Sequence, residues 1–413
     1  MIDRLSENLK FNILVTYNLL LIVFSFIFDN YKNILLGINK IIRSSDILIT
    51  DYLGIGGLGA TFFNAGMLGL LALFLLKVEK SKLNGISIAA VFTVTGFAMF
   101  GKNSLNICPI MIGVWLHSAY QKEPFANYVI VALFGTALAP MVSQIIIIFG
   151  FSAKGVILGT LIGIIIGFIL PPVASSLLNV HQGFNLYNLG FTAGVIGTLL
   201  MSVFRSYEFD TDNQLIWTVE YTKLIGAFLI LYFLSMMILG YILNEKSIKE
   251  IKRLWERSGR TVTDFVIRDG FALTLFNMGI MGLLYTLLIL VLGSPLNGPV
   301  VGGLFTIVGF SAFGKHPLNT IPVVLGVLLG VLTNVWDLSN PALILALLFS
   351  TTLAPITGVF GNISGIIAGF LHLSVVMNIG YLHGGLNLYN NGFSGGLVAS
   401  ILFPIFDSLR RDG

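Results

Sequence analysis

A long apolar run interrupted at Gly-Lys-x-x-Leu-Asn-x-x-Pro is written twice in this chain, and that interruption constrains the fold more than any other feature. Residues 93–114 read TVTGFAMFGKNSLNICPIMIGV and residues 306–327 read TIVGFSAFGKHPLNTIPVVLGV, at an offset of 213 with eleven of twenty-two positions identical. The same offset aligns Phe63-Asn64-Ala65-Gly66 with Phe276-Asn277-Met278-Gly279, Asp51 with Asp264, and the apolar run Phe11 to Phe28 with Leu224 to Tyr241. Further on, HQGFNLYNLGFTAGVIGT (181–198) matches HGGLNLYNNGFSGGLVAS (383–400) at an offset of 202, with nine of eighteen positions identical. A period of this size is a duplicated fold unit. The expected organisation is therefore two tandem homologous halves, 1–213 and 214–413.

The solvent around those halves follows from composition. The chain is 56% hydrophobic and only 10% charged, against about a quarter charged in soluble domains. So few charges cannot cover a soluble surface of this length, so the expected class is an all-α polytopic membrane protein in contact with lipid. A nucleic-acid partner is excluded, because the 23 basic residues are scattered among loops rather than gathered on one soluble face. Cys108 is alone, so no disulfide or cysteine cluster forms within the chain. Asp29, Asn30 and Tyr31 follow the first apolar run in place of a small-residue cleavage site, so that run is expected to be a retained span.

The first half offers apolar segments at about 11–28, 57–76, 84–100, 107–119, 126–149, 155–172 and 185–204, and the second half repeats them. A full span needs about 20 apolar residues. The segment 107–119 is shorter, which predicts a half-helix or re-entrant element. The segment 185–204 starts with polar Asn-Leu-Tyr-Asn and is expected to be broken likewise. Each half then has five full spans, or seven if both segments cross.

Either number is odd, which inserts the halves in opposite orientations. Loop charges agree in part. The linker 244–263 carries Lys246, Lys249, Lys252, Arg253, Arg257 and Arg260, which predicts a cytoplasmic position. The loop 205–220 carries Glu208, Asp210, Asp212 and Glu220 and is expected outside, whereas its counterpart after the last segment carries Arg410 and Arg411. The loop 77–82 has three lysines and its counterpart 293–297 has none. Lys32, Lys40 and Arg43, on the side expected outside, run against the trend.

Three duplicated motifs are candidates for chemistry. The first, around Lys102 and Lys315, nearly spells a phosphate-binding loop. Asn103 and His316 replace the Ser or Thr that would hold magnesium, and an apolar helix precedes where a strand is required. The nucleotide reading therefore fails. A broken helix fits better, with one helix ending at Gly101 or Gly314 and the next starting near Pro109 or Pro322. The new helix directs unpaired N–H groups and positive dipole at the break. Irregular backbone at membrane depth must face protein or a cavity, so Lys102, Asn106, Lys315 and Asn319 become candidates to bind an anionic or dipolar solute. The alternative is that each lysine snorkels to a headgroup.

The second motif places His181, Asn185, Tyr187 and Asn188, and again His383, Asn387, Tyr389 and Asn390, in apolar surroundings. Unpaired polar groups there are costly, so these side chains either face a hydrated path or meet partners required by the fold. In the third motif, Asn64 and Asn277 either contact solute or hydrogen-bond across a helix contact. Glycines spaced by four from Gly155 to Gly167 and from Gly361 to Gly369 predict close helix packing, and Asp51 and Asp264 predict N-caps. Arg268 and Asp269 are expected to pair or to lie at the surface.

At the two HxGxNLYNxGF segments the chain resembles the urea-transporter family. That resemblance implies two inverted halves of five spans, a re-entrant element in each, a narrow central pore and a homo-oligomer. The family's Asn-Pro-x-x-Gly element has no clear match, Asn64 and Asn277 being nearest, and lysines are foreign to a pore for a neutral solute. The chain also resembles an uncharacterised group of bacterial multi-pass membrane proteins. The expected function is a transporter or channel for a small polar solute, anions included, in the inner (plasma) membrane and without a cofactor or metal. A passive urea-like channel is one alternative. A membrane scaffold or membrane-embedded enzyme is the other, although zinc signatures, a Gly-x-Ser-x-Gly elbow and paired cysteines are absent from the sequence, which argues against an enzyme.

Overall fold

The computed structural model describes residues 5–211, 214–261, 263–333, 336 and 340–411. Asp212 of the acid-rich loop and the Arg411 side chain lie outside the described residues. Among the described residues, nine α-helices form from the first half: α1 (Glu7–Phe28), α2 (Tyr31–Ile42), α3 (Tyr52–Val78), α4 (Gly85–Phe97), α5 (Ser104–Gln121), α6 (Val129–Gly135), α7 (Ala139–Ile148), α8 (Ala153–His181) and α9 (Asn188–Ser206). Ten follow: α10 (Thr222–Leu243), α11 (Ile251–Trp255), α12 (Phe265–Asp269), α13 (Phe271–Val291), α14 (Gly298–Phe310), α15 (Pro317–Thr333), α16 (Pro341–Phe349), α17 (Ala354–Phe360), α18 (Asn362–Ile379) and α19 (Asn390–Arg411). Among the described residues there is no strand, only an isolated bridge between Thr50 and Ile216.

Among the described residues, ten helical stretches, counting α6–α7 and α16–α17 as one each, are long and apolar enough to cross a bilayer. Helices suit that solvent because they pair their own backbone groups. The chain is a multi-pass membrane protein.

The helices of the two halves are placed by equivalent residues. Gly57 (φ +82°), a kink inside α3, and Gly270 (φ +90°), just before α13, lie 213 apart and turn the chain at equivalent places, a conformation that glycine adopts without strain. Asn84 and Asn297 cap α4 and α14. These two short helices are buried along almost their whole length and pack on each other at the centre. Small residues allow the approach: a Cβ on Gly96 would lie 2.8 Å from the Gly302 carbonyl oxygen, and one on Gly302 would lie 2.8 Å from the Gly96 oxygen. The predicted glycine faces also pack closely. A Cβ on Gly167 would meet the Ile110 carbonyl at 2.0 Å, and one on Gly369 the Val323 carbonyl at 1.9 Å. Gly361 is the exception, since at φ +88° it separates α17 from α18.

Asp51 and Asp264 cap helices, as expected, and also cross between the halves. Asp51 accepts from Leu53 N in its own helix and from Gly298 N at the start of α14, both at 3.0 Å. Asp264 accepts from Ile267 N at 3.1 Å and from Gly85 N at the start of α4 at 2.8 Å.

Four details differ from expectation. The helices after the breaks start at Ser104 and Pro317, not near Pro109 and Pro322, because Asn103 caps the first and Pro317 opens the second. The segment 185–204 is unbroken: its polar stretch is a loop, and α9 runs whole from Asn188. The amphipathic α2 has no counterpart of similar length, and its surface carries Leu35 and Leu36. Asp269 pairs with Arg257 through two contacts of 2.7 Å.

Asp51→Ala removes the acceptor of Leu53 N, Gly298 N and Thr218 N. It is expected to cost about 2–3 kcal/mol, read as a lower unfolding midpoint in mild detergent. An unchanged midpoint would show that α14 needs no cap from the other half.

Candidate functional site

Each break is built by one asparagine and closed by another. When α4 ends, its last carbonyls lose their partners. The Asn64 amide, from α3, donates to Ala98 O at 2.7 Å and Lys102 O at 2.8 Å. Asn277 does the same for Ser311 O and Lys315 O, both at 2.9 Å. An amide has two N–H groups, and each break has two such carbonyls. On the far side, Asn106 accepts from Asn103 N at 2.9 Å and donates to Gly101 O at 3.1 Å, while Asn319 accepts from His316 N at 3.0 Å and donates to Gly314 O at 2.9 Å.

Asn103 also accepts from Leu105 N and Asn106 N. The first N–H groups of α5 are thus occupied rather than free for a solute, and Pro317 has no N–H to offer.

Both lysines are fully buried, so neither snorkels. Their surroundings differ. The Lys315 ammonium donates to Tyr187 Oη and, at 2.8 Å, to Thr351 Oγ1, and lies 4.3 Å from the Tyr187 ring centre. Lys102 Nζ has no hydrogen-bond partner and lies 5.0 Å from the Phe97 ring centre. An uncompensated ammonium in low dielectric is expensive; at the second break the buried His316 Nδ1 likewise lacks a partner.

The HxGxNLYNxGF loops meet at the centre. Asn185 donates to Gly392 O at 3.1 Å and Asn387 to Gly190 O at 3.3 Å, so each loop is pinned to the other. Tyr187 and Tyr389 lie ring to ring at 5.1 Å, packed against Phe97, Phe310 and Phe349. Tyr389 also bonds Thr93 at 3.1 Å. His181 and His383 latch onto Asn188 and Asn390 at 2.9 and 2.8 Å.

Two cavities approach this aromatic cluster, lined by equivalent residues. One, of about 320 Å³, is lined by Phe134, Leu186, Asn188 and Phe313 together with both tyrosines, and reaches Thr261 of the basic linker. The other, of about 570 Å³, is lined by Phe349, Leu388, Asn390 and Phe100, and reaches Arg205, Asp210 and Thr211 of the acid-rich loop. His383 lines the second cavity as well.

The expected site residues thus separate by position. Tyr187, Tyr389, Asn188, Asn390 and His383 line cavities, and Lys102 and Lys315 stand behind the rings. Asn64, Asn106, Asn277 and Asn319 hold the breaks, whereas Asn185, Asn387 and His181 hold the loops. Two residues escaped the sequence reading. Thr351 lies in an ordinary apolar run, and Asp46, in a polar loop, carries no motif. Asp46 is fully buried and accepts hydrogen bonds from five side chains, described below.

The chain belongs to the family of proteins of unknown function DUF1576, which matches residues 30–206 and 243–408. No curated protein and no solved structure matches it. Of the two resemblances read from the sequence, the one to an uncharacterised multi-pass family is compatible with this membership, and nothing in the comparisons supports kinship with urea transporters.

Asn277→Asp keeps the shape of the side chain and removes both donors to the break. It is expected to destabilise by about 2 kcal/mol or more, at least as much as Asn277→Ala, because a carboxylate then faces two carbonyl oxygens. Unfolding midpoints of the two variants in detergent check this; a milder effect for Asp would mean that the amide does not hold the break.

Proposed function

We propose that this family member is a transporter or channel for a small polar solute, with a preference for anions, which passes between the two cavities across the Tyr187–Tyr389 cluster. One observation carries the reading: two cavities lined by equivalent residues approach one aromatic cluster, the smaller at Tyr187 and Tyr389 and the larger at Phe349, which packs against both tyrosines, with both lysines buried against the cluster's rings. Tight packing at that pair matches a closed gate between two vestibules, and the aromatic rings exclude water from it. The Lys102 ammonium, lacking a partner, offers its charge to an entering anion.

The loops support opposite openings. The smaller cavity reaches the basic linker, which the positive-inside tendency puts in the cytoplasm, and the larger reaches the acid-rich loop. In this reading the halves, 1–213 and 214–413, are inverted repeats related by an axis near the Gly190–Gly392 contact, where a Cβ on Gly190 would lie 3.0 Å from the Gly392 Cα. Five of the ten spans fall in each half, an odd number, as inversion requires. The membrane is then the plasma membrane. A neutral, urea-like solute is the second reading; it is favoured by Lys315, whose charge Tyr187 and Thr351 already solvate.

Nitrate and urea fluxes into proteoliposomes separate the two. Nitrate flux is expected in the native protein and is abolished in Lys102→Gln/Lys315→Gln. Urea flux unaffected by the double substitution, with no nitrate flux, would replace the anion reading with the neutral one. No flux of either would count against transport by this route. Sidedness has its own test. In a Cys108→Ala background, Lys82→Cys and Pro295→Cys, equivalent positions 213 apart, are expected to react with an impermeant maleimide from opposite faces. Labelling of both from one face would refute inversion.

A further inference from the structure

The buried acid that no sequence motif announced occurs on only one side of the molecule. Asp46 Oδ1 accepts from Ser44 Oγ at 2.6 Å and Tyr52 Oη at 2.5 Å. Oδ2 accepts from Asn103 Nδ2 at 3.1 Å, Asn106 Nδ2 at 2.9 Å and Ser143 Oγ at 2.5 Å. Three pieces of chain converge there: the loop between α2 and α3, the α4–α5 break, and α7. At the equivalent place in the second half stands Gly259. Phe265 replaces Tyr52 and His316 replaces Asn103 at the offset of 213, and Gly358 replaces Ser143 where TALAPMVS (136–143) aligns with TTLAPITG (351–358) at an offset of 215. There the backbones touch directly, since a Cβ on Gly259 would lie 2.1 Å from the Gly314 carbonyl oxygen. The second break therefore forms without an acid. The first carries one, held by donors of which only Asn106 has the same residue, Asn319, at the equivalent place, and a purely structural role does not require it.

We propose that Asp46 is a proton-binding site whose ionisation governs the α4–α5 break beside Lys102. A proton arriving from water adds to the carboxylate and gives the neutral acid; the reverse step returns it to water, with no other bond changed. Hydrogen bonds to a charged acceptor are about twice as strong as neutral ones. Protonation therefore weakens the bonds from Asn103 and Asn106, the two residues that close the break. An amide nitrogen cannot accept a bond from a carboxylic O–H, so a proton on Oδ2 also displaces at least one donor.

Asp46 lies outside the candidate spans, and burial pushes its carboxyl up to about 6 against the lowering effect of its hydrogen bonds. Of the charged and titratable groups around it, Tyr52 donates to it, Arg43 and Asp51 are engaged elsewhere, and Lys102 has no hydrogen-bond partner. The Arg43 guanidinium lies 5.3 Å from the Phe151 ring centre, the Asp51 carboxylate caps helices, and the Lys102 ammonium lies over Phe97. Among the described residues Asp46 has no ion pair. Its proton exchange stands on this geometry alone; its link to transport rests on the function proposed above.

Infrared difference spectra of the purified full chain, recorded from pH 8 to pH 4, are expected to show a protonated carboxyl stretch growing in near pH 6 that Asp46→Asn loses. In the same window, hydrogen exchange at residues 98–106, corrected for intrinsic rate, is expected to quicken as pH falls in the native protein. It should stay fast at every pH in Asp46→Asn. Asp46→Glu, which keeps the acid, should retain a titrating band at a shifted midpoint. Absence of a titrating band in the native protein would overturn the proposal, as would exchange at the break that ignores pH. Nitrate flux in proteoliposomes adds the link to transport: its pH dependence is expected to vanish in Asp46→Asn, and an identical profile in both proteins would overturn the coupling. If nitrate does not pass while the band titrates and exchange follows it, the proton site stands and the transport reading falls.

Discussion

The fold depends on how four backbone carbonyls are satisfied where no water reaches them. In lipid an orphan carbonyl costs several kcal/mol, so a helix can stop at depth only where something donates to its last oxygens. Asn64 and Asn277 are those donors, each serving two carbonyls from a neighbouring helix. With them in place, α4 and α14 can end inside the protein and the chain can turn there. Without them, both apolar runs would be driven to continue as uninterrupted helices, and the lysines would be carried out toward the headgroups.

That dependence explains why the lysines are buried. A Gly-Lys pair at the end of a continuous span would let the ammonium follow its flexible stem to the interface. Because the break turns the chain inward, Lys102 and Lys315 point among aromatic rings instead. Ring faces and the hydroxyls of Tyr187 and Thr351 then replace water for Lys315, whereas Lys102 has only the ring face. Two lysines on matching motifs thus have different electrostatic positions, and the difference lies in the tyrosines. Tyr187 turns its hydroxyl to Lys315, and its counterpart Tyr389 turns to Thr93.

Much of this was legible in the sequence because lipid leaves few options. Apolar length gave the spans, the offset of 213 identified Asn64 with Asn277, and the polar motifs pointed to the residues that converge at the centre. The errors have local causes. Pro109 looks like a helix start, yet Asn103 one turn and a half earlier is the stronger cap. The Asn-Leu-Tyr-Asn stretch looks like a broken helix, yet it precedes α9 as a loop because Asn185 and His181 occupy its backbone. Several of the polar residues that the sequence offers as solute ligands hydrogen-bond backbone carbonyls in the fold. An asparagine amide that satisfies backbone and one that faces a solute have the same letter, and only the neighbour's carbonyl tells them apart. Asp46 was invisible for a related reason: its donors come from residues 44, 52, 103, 106 and 143, a set with no spacing to recognise.

The repeat itself also carries information that neither half holds alone. Positions where both halves agree, such as Asn64 with Asn277 or Gly190 with Gly392, report what the architecture demands. Positions where they diverge in concert report what the architecture tolerates and something else has shaped. Asp46, Tyr52, Asn103 and Ser143 diverge together from Gly259, Phe265, His316 and Gly358, and they do so around one carboxylate. A chance substitution that buried an acid in the first half would have left it without donors, at a cost of several kcal/mol. The donors are present, and they include the two asparagines that close the break. Physical economy therefore assigns the asymmetry to the first break and its lysine, whose buried nitrogen has no hydrogen-bond partner.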